Sequence, residues 1–293
     1  MNIHHEIDCP AKINLYLEVG EKRSDGFHAV RTVIQTIDLY DAISVEEKSG
    51  GISLECDHPE LPVDSRNLCW RAADLLHREA QSKRGAHIRI KKRIPIAAGL
   101  GGGSSDAAGV LILCNKLWGV GLSNARLRRL AAMIGSDVPF FIEGGTALCT
   151  GRGEKVSPIE KASSYPFILV TPPVGVSTAD IYRSMNGGGV LLHEREQRLI
   201  HAVVSVDSLR VARHLYNRLE DSNAPHMNVV RGLKSLLVKH GALGASMSGS
   251  GPSVFGIAKG MPEAKRIRRE VGREVGNDYF LHCGMTNVKY RVG

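Results

Sequence analysis

Apolar residues in this chain recur at two spacings, and the spacing changes every ten to twenty positions, so short strands and helices are interleaved. Residues 13–19 and 30–37 read as strands, the second carried by Val33 and Ile34. Residues 43–46 and 52–56 read as two more, separated by Gly50-Gly51. Residues 67–81 set Leu68, Ala72, Leu75 and Leu76 on one helical face. In residues 86–93, Ile88 and Ile90 alternate with Arg89 and Lys91, as in a strand with one covered face. Residues 104–117 read as a buried helix. Ser123 is placed to cap the next helix, whose apolar face is Leu127, Leu130, Ala131 and Ile134, and Gly135 is placed to end it.

After the polar stretch 151–164, Tyr165-Pro166 announces a strand at 167–171. Helices are predicted at 178–185, 194–204, 208–219 and 227–240, with a loop at Gly187-Gly188-Gly189. Strands are predicted near 245, 253–258 and 279–282. The mixture lacks strict βα alternation, which predicts an α+β fold. The polar stretch divides it into two lobes, residues 1–160 and 161–293.

Composition narrows the class. Of 293 residues, 43% are hydrophobic and 23% charged, as in an ordinary globular protein. No apolar run reaches membrane-spanning length. The first nine residues, with His4, His5, Glu6 and Asp8, resemble no signal or transit peptide, which predicts a cytoplasmic protein. Six scattered cysteines form no C-x-x-C pair and are expected to be free thiols; the twelve histidines show no zinc spacing. The net charge of +8 favours an anionic partner, either nucleic acid or a phosphorylated metabolite. Aromatic residues, at 5%, are too few for a base-stacking platform.

The most informative segment is Pro95-Ile96-Ala97-Ala98-Gly99-Leu100-Gly101-Gly102-Gly103-Ser104-Ser105-Asp106, which leads into the buried helix. Backbone N–H groups unobstructed by side chains make a cradle for anions, and a helix N-terminus adds its dipole. No lysine follows the glycines, so this is not a Walker loop. Ser104 stands where the dinucleotide fingerprint needs a glycine. Four further segments carry possible chemistry. Lys12 and Asn14 are two apart on a strand and share a face. Asp137, in Ser136-Asp137-Val138-Pro139, either caps a turn or acts as a base. Ser24-Asp25-Gly26-Phe27-His28 reads as a turn displaying a ring and an imidazole. Residues 245–253 form a second loop of small residues.

In this order the segments resemble the superfamily of galactokinase, homoserine kinase, mevalonate kinase and phosphomevalonate kinase, the GHMP kinases. Its three motifs match Pro10 to Lys12, Pro95 to Ser105 and Ser248 to Ser253. The likeness is greatest to the branch whose acceptor is a cytidine diphosphate-linked methylerythritol, phosphorylated on its 2-hydroxyl. It implies a two-lobed fold with the active site in the cleft between the lobes, and use of ATP and Mg²⁺. It implies that Pro95, Ile96, Ala97, Ala98, Gly99, Leu100, Gly101, Gly102, Gly103, Ser104 and Ser105 wrap the ATP phosphates. Asn67 and Leu68 would lie near adenine. Asp137 would be the general base, with Lys12 as its charged partner and Asn14 orienting the substrate. Phe27, a tyrosine in many relatives, would stack on cytosine, His28 would read its edge, and Tyr182 would close the sandwich. No protein metal-ligand set, nucleic acid or membrane partner is implied. The rival readings are a homoserine- or mevalonate-type kinase and, in another class, a basic nucleic-acid-binding protein.

Overall fold

A computed structural model of the chain describes residues 4–184 and 193–292. The glycine run at 187–189 lies outside the described residues.

Two long strands, β1 (His4–Lys22) and β2 (His28–Ser49), form the spine of the larger sheet. Residues 30–37 and 43–46, expected as separate strands, belong to this one β2. Its ladder with β1 runs on through Tyr40 and Asp41, which pair with Pro10 and Cys9. Polar side chains there interrupt the apolar pattern, and the pairing carries on across a register shift between Pro10 and Ala11. The chain continues through β3 (Ile52–Cys56), α1 (Leu68–Glu79) and β4 (Arg84–Lys91), with β3 parallel to β4 and β4 antiparallel to β2. Next come α2 (Gly102–Leu117), α3 (Asn124–Ile134), the single turn α4 (Val138–Phe141), β5 (Thr146–Thr150) and β6 (Lys155–Pro158). Strand β6 lies inside the stretch expected to be only a polar connection. It pairs with β5, which extends the large sheet.

The second half begins with β7 (Pro166–Thr171), α5 (Thr178–Arg183), α6 (His193–Val204) and α7 (Ser208–His214). The helix expected over 208–219 stops at His214. Leu215 is extended, and β8 (Tyr216–Asn217) then pairs in parallel with Tyr16 and Leu17 of β1. After a 3-10 turn at Arg218–Asp221 come α8 (Met227–Lys239), β9 (Gly244–Met247), β10 (Val254–Ile257), α9 (Met261–Glu274), β11 (Phe280–Met285) and β12 (Arg291–Val292). The smaller sheet has the order β11-β7-β10-β9, while β8 and β12 from the second half join the larger one.

Three cores follow. One packs α1–α4 on the large sheet; it includes Ile88, Val110, Leu113 and Phe141. A second joins the two sheets through Ile13, Leu15, Phe167 and Phe255. A third packs α8 and α9 on the smaller sheet. Strand β1 contributes to all three. Ile7 and Cys9 face the first core, whereas Ala11, Ile13 and Leu15 face the second. The register shift between Pro10 and Ala11 falls between these groups and accounts for the change of face. The adjoining even-numbered residues are thereby turned toward the glycine loop ahead of α2.

Candidate active site

Lys12 and Asn14 are those even-numbered residues, and both are buried. Lys12 Nζ donates to Asn14 Oδ1 at 2.6 Å and to the Gly99 carbonyl at 2.6 Å. Asn14 Nδ2 donates in turn to Thr32 Oγ1 at 2.8 Å. Asn14 therefore has polar atoms committed on both sides, and its immediate effect is to aim the ammonium. Burial pulls the Lys12 ammonium below the ordinary lysine range, against the opposing pull of Asp137 and Cys149.

The glycine loop passes beside this ammonium. Gly99 has φ of 75°, and a Cβ there would lie 2.0 Å from the Ser248 carbonyl oxygen. Only a residue without a side chain lets the two small-residue loops touch. Ser248 Oγ donates to the same Gly99 carbonyl at 3.0 Å. The loop ends at Gly101, the N-cap of α2. No side chain caps that helix, and no acidic residue occupies its first turn. Gly102, Gly103 and Ser104 line the cleft, leaving the first-turn N–H groups and the positive end of the helix for an anion. Ser104 and Ser105 part company here: Ser105 is fully buried and outside the cleft lining.

Asp137 stands at the start of α4 but caps no backbone N–H. Its Oδ2 lies 4.0 Å from Lys12 Nζ, and its side chain is 39% exposed against 4% for Lys12. The ammonium is fixed and dry while the carboxylate opens on the cleft, so an oxygen placed beside them is within reach of both.

Beyond Asp137 lie the aromatic residues. Phe27 is 47% exposed, and the Arg152 guanidinium sits 5.0 Å from its ring centroid. Arg152 also donates to the Ala132 carbonyl at 2.5 Å. His28 Nδ1 is 3.1 Å from the Gly20 carbonyl, and its ring lies 5.6 Å from that of Tyr182. Tyr182 thus neighbours His28, and the ring of Phe27 carries a guanidinium. Burial pushes the Tyr182 hydroxyl up, with Asp137 adding to the shift.

At the opposite end, Asn67 accepts from Cys69 N at 2.9 Å as the N-cap of α1, and its Nδ2 donates to the Pro62 carbonyl at 2.8 Å. Asn67 and Leu68 line the cleft with Leu61 and Pro62. Behind the glycine loop, Lys92 is buried between Asp41 and Asp106, with Nζ 2.8 Å from Asp106 Oδ2. Burial alone would lower this ammonium; the two carboxylates outweigh it and raise it. Asp106 is pushed up by burial and by Asp41, against the pull of Lys92. One cation shared by two buried carboxylates ties β2, β4 and α2 together directly under the loop.

All the site residues expected from the sequence except Ser105 border one cleft of about 1170 Å³, larger than a typical small-molecule site and roomy enough for two substrates. Sequence reasoning missed Arg152 and Thr32. Arg152 sits in Thr150-Gly151-Arg152-Gly153, where flanking glycines of positive φ were the available signal; Thr32 gave none.

Residues 67–145 match the GHMP kinases N terminal domain and residues 199–278 the GHMP kinases C terminal. A 4-diphosphocytidyl-2-C-methyl-D-erythritol kinase of Synechococcus sp. (strain JA-3-3Ab) is 45% identical over 267 residues, covering 88% of this chain and 86% of the relative. The chain belongs to this family of GHMP kinases. A solved 4-(cytidine 5'-diphospho)-2C-methyl-D-erythritol kinase superposes with a TM-score of 0.80 at 32% identity, over 97% of this chain and 99% of that one. Homoserine kinase from Cytophaga hutchinsonii superposes at 0.79 with 18% identity, over 99% and 97%, a likeness of fold alone. The GHMP kinase is accordingly an α+β, ATP-dependent small-molecule kinase, as the motifs predict.

Proposed function

We propose that this GHMP kinase transfers the γ-phosphoryl group of ATP to the 2-hydroxyl of 4-diphosphocytidyl-2-C-methyl-D-erythritol, in the non-mevalonate route to isoprenoid precursors. The observation that carries the reading is the Lys12–Asp137 couple, 4.0 Å apart beside the glycine loop, in a cleft that continues to Phe27 and His28. Asp137 takes the hydroxyl proton as the oxygen attacks. Lys12 offsets negative charge that develops on the transferring group. The loop from Pro95 to Ser104 holds the phosphates through backbone N–H groups and the α2 dipole, and Asn67 and Leu68 wall the adenine end. Phe27 stacks on cytosine, His28 reads its edge and Tyr182 supports the imidazole. Arg152, over the Phe27 ring and on the cleft wall, is the cation offered to the diphosphate.

Among the described residues no three His, Cys, Asp or Glu side chains are grouped to hold a metal ion. Mg²⁺ fits instead as an ion held mainly by phosphate oxygens and water, with Ser104 offering a hydroxyl. When bound it would neutralise charge on the ATP phosphates. Residues 1–160 form the ATP-binding lobe in this reading, and 161–293 complete the substrate site. No described helix is long and apolar enough to cross a membrane.

The test is ADP release with the cytidylylated methylerythritol, mevalonate and homoserine offered separately. Turnover with the first alone is expected. Turnover only with mevalonate or homoserine would reject the acceptor and retain the phosphoryl transfer.

A further inference from the structure

Lys12 owes part of its dry setting to a loop more than two hundred residues further along the chain. Gly249 closes over the ammonium: a Cβ at this position would lie 3.0 Å from Lys12 Nζ, 3.1 Å from the Gly99 carbonyl and 3.3 Å from Asn14 Oδ1. The loop is gripped from its far side by Asn217. This side chain is 4% exposed, and its Nδ2 donates to the carbonyls of Met247 and Gly249, both at 2.8 Å. Its Oδ1 accepts from Leu219 N at 2.9 Å. Glu220, three residues on, accepts from Met247 N at 2.8 Å and Ser246 Oγ at 3.0 Å and pairs with Lys234. Asn217 is also the end of β8, which pairs with Tyr16 and Leu17 on the strand that carries Lys12. One carboxamide therefore links the catalytic strand to the loop lying on the catalytic ammonium.

We propose that Asn217 is a positioning residue for phosphoryl transfer: it clamps the 248–251 loop over Lys12, which keeps the ammonium dehydrated and aimed at the reacting oxygens. This rests on the role given to Lys12 in the proposed function. Both hydrogens of the carboxamide are used, on two carbonyls that have to be held at once. A serine offers one donor and an aspartate none, with its charge set against the same carbonyls. The charged or titratable groups facing Lys12 are Asp137 at the start of α4 and Cys149 on β5; the loops contribute carbonyls and no ionisable group. Loosening the loop admits water and leaves those partners in place, so the ammonium regains its ordinary basicity.

The experiment compares wild type, Asn217→Ser and Asn217→Asp in full steady-state kinetics from pH 6 to 10.5, on variants whose melting confirms that they are folded. The expected result is kcat falling in donor order, about tenfold for Ser and about a hundredfold for Asp, as small misplacement of reacting groups produces. KM for ATP and acceptor stays within about threefold, and the alkaline limb of kcat moves to higher pH in both variants. Unchanged kcat in the folded variants overturns the proposal. So does a fall in kcat with an unmoved alkaline limb, which marks a merely structural residue. A rise in KM that absorbs the whole loss does so too. If wild type turns over mevalonate or homoserine instead, the acceptor assignment fails on its own, and the same comparison is made with the alcohol it accepts.

Discussion

The two ends of the acceptor path are built differently. Around Lys12, the ammonium donates at 2.6 Å to the Asn14 carboxamide and to the Gly99 carbonyl, the Ser248 hydroxyl braces that carbonyl at 3.0 Å, and the side chains are buried. Around Phe27 the ring is nearly half exposed, held by a guanidinium at 5.0 Å, and His28 has one bond to the Gly20 carbonyl near the end of β1. The contrast follows the work each end does. Charge stabilisation in a transition state needs groups fixed before the reaction, because reorienting them then would add to the barrier. Stacking on a base tolerates displacement, since it depends on contact area more than on direction. Rigidity is concentrated where geometry limits the rate.

The sharpest way to break this comparison is Asp137→Asn, which keeps the shape and removes the base. Turnover should drop by about 10²–10⁴-fold with little change in KM, read by ADP release. A variant with near-normal kcat would remove Asp137 from the chemistry. Next in size, Phe27→Ala should raise KM for the acceptor by about 5–150-fold, from about 1–3 kcal/mol of lost stacking, and leave the ATP parameters alone. An equal loss of kcat would mean that the rim is as tightly coupled to catalysis as the centre. Smaller again, Arg152→Ala should weaken binding of cytidine diphosphate by about tenfold, as for a lost bond to a charged group, while cytidine binds as before. Calorimetry with both ligands checks this, and parallel losses would show that Arg152 only braces Ala132. The mildest effect is in the pH profile. Lys12 acts as an ammonium, and burial lowers its pKa from the ordinary 10.5. Its proton is therefore lost sooner as pH rises, and activity should decline on the alkaline side below pH 10.5.

The rim and the centre also differed in how readily they could be read. Alternation along β1 put Lys12 and Asn14 on one face, and the glycine spacing marked the phosphate loop ahead of α2; both are local rules of backbone geometry. Ser123 was likewise legible as a cap, and it accepts from Arg126 N as expected. Phe27 and His28 were visible as residues shown by a turn. Tyr182, named only through the family likeness, packs on His28, while Arg152, distant in sequence and not foreseen, sits over the ring of Phe27.

By itself the order of residues determined which backbone segments carry the chemistry, because strand period, glycine content and helix caps act within a few positions. It also carried the α+β class and the kinship to GHMP kinases. Only the tertiary structure decided that β2 runs unbroken past Asp41, that the helix from Ser208 yields to β8, and that Asn217 clasps the loop over Lys12. Each of these depends on a bond between residues tens of positions apart. Such bonds are chosen by which faces are left to be buried once the cores close, and no local pattern records that choice.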